Sequence, residues 1–560
     1  MKDYIDANAF REMILSASAA LNAESDLINE LNVFPVPDGD TGTNMSLTMK
    51  AAADEMAKHS YSEISAAADC AAGALLRGAR GNSGVILSLL FRGVSRRFKG
   101  LETAGTKEFA GALNDGVDTA YKAVMKPSEG TILTVSRIAS KAAAEAAELG
   151  ADMEGVFICA IKAGNTALAE TQSINPVLKK AGVVDAGGKG YMVILEAMLA
   201  ALKGQAAVLA EAPSVPPVQD GAKNVFSTFS TESIRFAFDT VYTVHKDDPE
   251  VEIAPLRDYL ASIGDCLVIS EGDEEFKVHV HTNLPGVALT ESAKYGTLEL
   301  AKIENMRMQH DEVASGQKPS GADELDAADA AAAGEGASAA PEKKYGSVAV
   351  CAGAGLEELF RELGVDGIVS GGQTMNPSTD DILHAVNQTP ASTVFVFPNN
   401  KNIIMAAQQC VGLSDKKVVV IPTKTVPQGI TALMNLDPEG EEEDIVAAMT
   451  ESFQNVHTAM VTYAARDSEF DGVDIHAGEY LALVDGALSG CYRSVEELMP
   501  GLSGAISAME PQVITVYYGA DVEENSAQAV AAAISAANPA ADVSVLSGGQ
   551  PVYYYMISVE

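Results

Sequence analysis

Residues 314–344, ASGQKPSGADELDAADAAAAGEGASAAPEKK, limit what this chain can build more than any other stretch. The segment is small, acidic and low in complexity, with almost nothing apolar to bury. Its Gly and Pro flanks favour a tether over a long helix. A second break, residues 204–224, carries three prolines and loses its apolar period. The 560 residues therefore divide into three blocks, 1–203, 225–312 and 345–560, joined by linkers at 204–224 and 313–344. Each block is expected to have its own core.

The blocks differ in period. Block one repeats apolar residues near i, i+3, i+4 and i+7 over Ala7–Asn32, Met45–His59, Ile64–Arg77, Val85–Phe98, Phe109–Met125, Thr131–Leu149, Val156–Glu170 and Gly190–Lys203. That pattern predicts an all-α bundle. Block two reads as a small α+β unit, with strand-like runs at Ile234–Val244, Cys266–Ser270 and Phe276–His281 and helical patterns at Pro255–Ile263 and Val287–Tyr295. Block three alternates short apolar strands such as SVAVCA, TVFVFP and KVVVIPT with helices, which predicts an α/β domain with a mainly parallel sheet. The fold class expected is multidomain, α and α/β.

Charge narrows the partners. With 77 acidic against 38 basic residues the formal charge is −39, which repels nucleic acid phosphates and acidic headgroups. The longest apolar stretch, Tyr191–Leu202, is interrupted by Glu196 and too short to span a bilayer, and the first residues lack an apolar signal core. Six cysteines without a CxxC pair suit small core residues in a reducing compartment. A cytoplasmic protein without an integral membrane segment is expected.

Three polar clusters in block one carry the chemistry. In PVPDGDTGTNM, Asp38 and Asp40 flank Gly39, whose backbone freedom lets both carboxylates converge. Paired carboxylates ahead of a helix suit Mg²⁺, which shares its shell with phosphates. Thr41, Thr43 and Asn44 then open a helix whose free N–H groups favour an anion. The same letters also make a plain surface turn with an N-cap. An aspartic protease would need a second Asp-Thr-Gly, and an EF-hand would need an oxygen ligand where Gly42 stands. The second cluster, RGARGNSG, spaces Gly78, Gly81 and Gly84 by three, with Asn82 and Ser83 placed to cap a helix or bind phosphate; close helix packing would use the same glycines. The third, VDAGGKG, sets Asp185 and Gly187 in a turn before a helix. None is a Walker A loop, since Gly190 follows Lys189.

NVFPVPDGDTGTNM together with GARGNSGVI, EGTILTV and VDAGGKG resembles the nucleotide-binding (DhaL) component of the dihydroxyacetone kinase superfamily, a helical barrel that holds ATP through Asp-bound Mg²⁺. GGQTMNPST, PNNKNIIMAA, VIPTKTVPQG and the terminal GGQPVYYYMISVE look like the C-terminal domain of bacterial fatty acid kinase of the FakA type. The resemblance spans nearly the whole chain. It implies a kinase that phosphorylates the carboxyl group of a fatty acid held by a separate DegV-type carrier protein, giving acyl phosphate for phospholipid synthesis. Asp38 and Asp40 then take the Mg²⁺ ligand positions, with Asn32 where a third Asp stands in dihydroxyacetone kinases. Thr41, Asn44, Gly81, Asn82 and Ser83 match nucleotide and phosphate contacts, and Gly130, Thr131, Asp185 and Gly187 match further ones. In block two, His279 and His281 with Asp239, in the place of the family's Cys, form a candidate Zn²⁺ site. Block three is implied to be DegV-like and to dock the carrier, and a homodimer is implied. A carboxylate nucleophile needs no general base, and no His lies near the three clusters. Two other readings use the same residues: a small-molecule kinase of the dihydroxyacetone type, and a non-catalytic regulator that binds nucleotide or lipid carrier.

Overall fold

The computed structural model describes residues 4–32, 40–124, 127–205, 238–248, 251, 253–271, 275–305, 341–372, 376–470 and 473–560. The chain divides into two compact units, Met1–Pro213 with Gly336–Glu560, and Ser214–Glu335. The linker segments 206–224 and 313–340 lie outside the described residues.

The first part of the larger unit is helical: α1 (Ala7–Asn29), α2 (Thr41–Ala57), α3 (Ile64–Arg77), α4 (Gly81–Phe98), α5 (Thr106–Ala123), α6 (Ile132–Glu148), α7 (Met153–Ile174), α8 (Pro176–Ala181) and α9 (Ala186–Leu202). In α1 the buried Phe10, Met13, Ile14, Ala17, Leu21 and Ile28 make one apolar stripe, and Asp6 caps the helix by accepting from the Ala9 N–H at 2.9 Å. Successive helices pack on one another, and α9 closes the ring against α1, α6 and α7. Two-residue strands β1 (Tyr4–Ile5) and β2 (Ala104–Gly105) pair antiparallel beside it.

The helices α2, α4 and α9 each begin four residues before their apolar period does. Thr41–Asn44, Gly81–Gly84 and Ala186–Lys189 form first helical turns, where the sequence pattern placed the helix starts at Met45, Val85 and Gly190. Several of these residues face a cavity, so no apolar repeat marks them. Helix α8 has no counterpart in the expectations, because six residues are too few to show a period; Asn175 caps it and Pro176 opens it.

Gly336–Glu560 holds two sheets. Strands β7 (Lys343–Cys351), β8 (Gly367–Ser370), β9 (Ala391–Phe397) and β10 (Lys417–Val420) form a wholly parallel sheet in the order β10-β9-β7-β8. Strands β11 (His457–Tyr463), β14 (Tyr480–Val484), β15 (Ala487–Tyr492), β16 (Val513–Tyr518), β17 (Asp542–Ser547) and β18 (Tyr555–Val559) form the second, ordered β15-β14-β11-β18-β16-β17. Between them, β12 (Ser468–Phe470) pairs with β13 (Val473–Ile475). The expectation of a mainly parallel sheet holds for the first sheet only; in the second, β16–β17 is the single parallel pair among the described strands. The reason is partly local. Asp485 and Gly486, at φ 49° and 79°, make a two-residue turn that sends β15 back along β14.

One apolar core crosses from the helices into the parallel sheet. It joins Met45, Leu75, Leu87 and Phe91 to Val348, Val394, Ile382 and Ile403 without a break, and the helices Thr379–Gln388 and Ile404–Cys410 pack on α3 and α4.

The smaller unit is an antiparallel sheet, β4-β5-β3-β6, of β3 (Phe238–Lys246), β4 (Gly264–Glu271), β5 (Glu275–Thr282) and β6 (Gly296–Asn305). Helices Ala254–Ile263 and Pro285–Ser292 complete it. Strand β6 adds to the expected α+β set. Among the described residues no helix is long and apolar enough to cross a membrane.

Candidate active site

The ring of alternating helices puts the N-termini of α2, α4, α6 and α9 and the C-terminal ends of α1 and α5 at one end. There they border a cavity of about 640 Å³, lined by Asp40, Thr41 and Asn44 of α2, Asn82 and Ser83 of α4, Thr131 and Ile132 of α6, and Asp185 and Gly187 of α9. Each helix start presents roughly half a positive charge, and α4 also presents N–H groups that no side chain caps. Four aimed at one space make an anion site without any basic side chain.

Local hydrogen bonds fix that end. The Asn29 carboxamide oxygen accepts from Gly42 N at 2.7 Å and Thr43 N at 3.3 Å, and its Nδ2 donates to Thr43 Oγ1 at 3.0 Å, so Asn29 caps α2 in place of Asp40. Asp40 makes no side-chain cap bond; its carboxylate accepts from the Asn376 amide. Thr41 Oγ1 donates to Asn32 Oδ1 at 2.8 Å, so Asn32 orients the threonine. Helix α4 starts without a capping side chain. It begins at Gly81, whose φ of +57° and whose place 2.6 Å from Asn44 Nδ2, measured from an added Cβ, admit glycine alone.

The opposite wall comes from the loops after β9 and β10: Asn399, Asn400, Lys401 and Asn402, then Lys424 and Thr425, with Asp485 and Tyr553 beside them. Asn399 and Thr423 tie the two loops together; Thr423 Oγ1 donates to Asn399 Oδ1 at 2.8 Å and accepts from Asn399 N at 3.2 Å. Lys401 and Lys424 are the cationic side chains among the lining residues, and neither is in an ion pair among the described residues. Backbone strain gathers here. Of the four non-glycine residues with positive φ among the described residues, Asn399 (55°) and Asp485 (49°) line the cavity and Val552 (72°) precedes Tyr553.

Asp185 stitches two helix starts, accepting from Gly188 N at 2.7 Å and from the Ile132 N–H. Burial nevertheless lifts its carboxyl from 3.8 to about 6, against the pull of those donors. The folded chain therefore holds this proton more tightly than the unfolded chain. The stabilisation is full below pH 3.8 and is lost as pH rises through about 6. Urea unfolding at fixed ionic strength is expected to show wild type losing stability relative to Asp185→Asn between pH 4 and 6, by on the order of 2 kcal/mol once partial exposure is discounted. Parallel profiles would remove the burial cost.

The donors present fit a magnesium nucleotide. Asp40 offers hard carboxylate oxygens beside four helix starts, and the buried side-chain oxygens of Asn82 and Asn376 have no hydrogen-bond partner among the described residues. Residues 35–200 match the DAK2 domain, 235–313 the FakA-like fatty acid kinase middle domain and 346–560 the FakA-like fatty acid kinase C-terminal domain. Protein YloV of Bacillus subtilis (strain 168) is 39% identical over 99% of this chain and 99% of its own length. The chain belongs to the FakA-like fatty acid kinase family. SAB1090 of Staphylococcus aureus (strain bovine RF122 / ET3-1) is 37% identical over 99% of both chains. The solved DegV family protein Cg2579 from Corynebacterium glutamicum is similar over 39% of this chain and 96% of its own, at 8% identity and a TM-score of 0.30.

In this FakA-like chain, eight of the residues singled out in the sequence line one cavity: Asp40, Thr41, Asn44, Asn82, Ser83, Thr131, Asp185 and Gly187. Gly81 leaves room for the Asn44 side chain packed against it, and Gly130, at φ +75°, turns the chain into α6. Asp38 lies outside the described residues. Asp239, His279 and His281 belong to the smaller unit, where the backbone register sets Asp239 opposite His281; their side chains lie outside the described residues. Asn376, Lys401 and Lys424 were not singled out. Their segments, GGQTMNPST, PNNKNIIMAA and VIPTKTVPQG, carried the resemblance to the C-terminal domain, yet nothing local says that they reach the helical end.

Proposed function

We propose that this chain transfers the γ-phosphoryl group of ATP to the carboxylate of a fatty acid presented by a separate DegV-type carrier, giving acyl phosphate and ADP. The observation that carries the reading is a single cavity with a carboxylate and four helix N-termini on one wall and two lysines on the other. The family's description, one component of a fatty acid kinase built from more than one chain, also supports a separate carrier.

The chain's own groups have distinct tasks. The uncapped start of α4 at Gly81 holds phosphate oxygens through backbone N–H groups, and the dipoles of α2 and α6 add to the field there. Asp40, with Asp38, would hold Mg²⁺, which offsets the charge that builds as the phosphoryl group moves between two anions. Lys401 and Lys424 take the acyl carboxylate and the transferring phosphoryl oxygens. The carboxylate oxygen attacks phosphorus, its bond forming as the β,γ-bridging O–P bond breaks. No proton has to be removed from the nucleophile, and no histidine is among the lining residues. In the smaller unit, Asp239, His279 and His281 are proposed as a structural Zn²⁺ site.

The test is acyl hydroxamate formation. The chain, Mg²⁺, ATP and a carrier loaded with fatty acid are incubated with hydroxylamine, which traps acyl phosphate. Hydroxamate that requires both ATP and carrier is expected. Phosphorylation of a free triose instead, or ATP binding without turnover, would replace this reading with the dihydroxyacetone-type kinase or the non-catalytic regulator.

A further inference from the structure

Resting on that reading, we propose that Asn376 is a positioning residue for Asp40, so that the C-terminal part of the chain sets the metal affinity of the helical part. Asn376 is 3% exposed, and its amide N–H donates to Asp40 Oδ2. Metal-holding carboxylates depend on such outer hydrogen bonds for their orientation. Here the donor lies 336 residues further along the sequence.

The seam around it is built to aim that amide. Arg80 Nη1 donates to the Asn376 carbonyl at 2.8 Å and lies 3.5 Å from Asp381 Oδ2. Arg80 N in turn donates to Thr48 Oγ1 at 3.1 Å. Thr379 N donates to Ala79 O at 3.0 Å, and Arg80 and Ser378 form an antiparallel bridge. Ser378 and Asp381 close a capping box on the helix that follows, which fixes where residues 376–379 can run. These backbone and Arg80 contacts already dock the two parts. The Asn376 side chain is surplus to docking, and its donor falls on the carboxylate that faces the cavity. Its oxygen, like Asn82 Oδ1, is buried without a hydrogen-bond partner among the described residues.

Metal binding, read without turnover, tests this. Mn²⁺ is titrated into the full chain with ATP present and followed by electron paramagnetic resonance, for wild type, Asn376→Ala, Asn376→Leu and Asp381→Asn. The leucine keeps the side-chain size without the amide, and Asp381→Asn weakens the seam without touching Asp40. Loss of the donor is expected to raise the Mn²⁺ Kd roughly 10–100-fold in both Asn376 variants. Asp381→Asn, which loosens the segment that carries Asn376 but keeps its amide, should raise the Kd by clearly less than either Asn376 variant. In carrier-dependent hydroxamate assays the Mg²⁺ KM should rise by the same factor, with the KM for ATP at saturating Mg²⁺ unchanged. An unaltered Mn²⁺ Kd in folded Asn376→Leu, equal loosening in Asp381→Asn, or no Mn²⁺ binding by wild type would overturn the proposal. Weakened Mn²⁺ binding without any hydroxamate from wild type would keep the positioning role while removing the fatty acid acceptor.

Discussion

Asp40→Ala is expected to cut carrier-dependent acyl phosphate formation by on the order of 10³-fold, comparable with removing a preorganised group that stabilises transition-state charge. The carboxylate lines the cavity and makes no cap bond to its own helix. The Asn29 side chain caps α2 instead, bonding Gly42 and Thr43. The variant should therefore keep its fold, with a thermal midpoint within a few degrees of wild type. Asp40→Asn separates charge from shape: it keeps the size, loses the anion, and should be nearly as impaired. Hydroxamate yield and circular dichroism on the same samples check both halves. Turnover within about threefold of wild type would remove Asp40 from the metal site. A collapse of the midpoint would make it a structural residue.

The second large effect belongs to Lys401 and Lys424. Each is exposed and presents a cation to a cavity whose other wall holds Asp40 and Asp185. A charge-assisted contact in such a site is worth about 1.5–3 kcal/mol; exposure puts each lysine near the lower end, or roughly tenfold. Lys401→Ala with Lys424→Ala should lower kcat/KM for the loaded carrier by about 10²-fold. Mn²⁺–ATP binding should change little, because helix N-termini and Asp40 account for that part. The stability cost should be small, since Asn399 and Thr423, not the lysines, hold the loops. If the double variant lost ATP affinity and acyl transfer equally, the lysines would belong to the nucleotide and not to the acceptor.

The helical fold was legible because apolar periodicity reports burial directly. Ile64–Arg77 was placed to the residue, since Ile64, Ala67, Ala68, Ala71 and Leu75 all point inward. Legibility failed at the first turns of α2, α4 and α9, for the reason that makes them interesting. Residues such as Thr41, Asn82 and Gly187 face a cavity, and polar side chains there erase the repeat. Composition still found them, because Asp, Thr, Asn and Gly ahead of a helix have few cheaper uses. The antiparallel second sheet had a local signal in Asp485–Gly486, two residues that accept positive φ between apolar runs. The meeting of Asn376 with Asp40 had none. It depends on how the helices Thr379–Gln388 and Ile404–Cys410, beside the parallel sheet, dock against α3 and α4 through a shared core, and no window of sequence contains both surfaces.

Arg80 and Asn376 stand 296 residues apart, with the smaller unit inserted between the two stretches they belong to. A ribosome adding roughly 5–20 residues per second takes about 15–60 s to travel that distance. Throughout that interval Asp40 of the nascent helical ring stands without the Asn376 amide that donates to it. If Asn376 positions Asp40 as proposed, a half-made chain binds the metal weakly, and competence arrives only with the second half of translation.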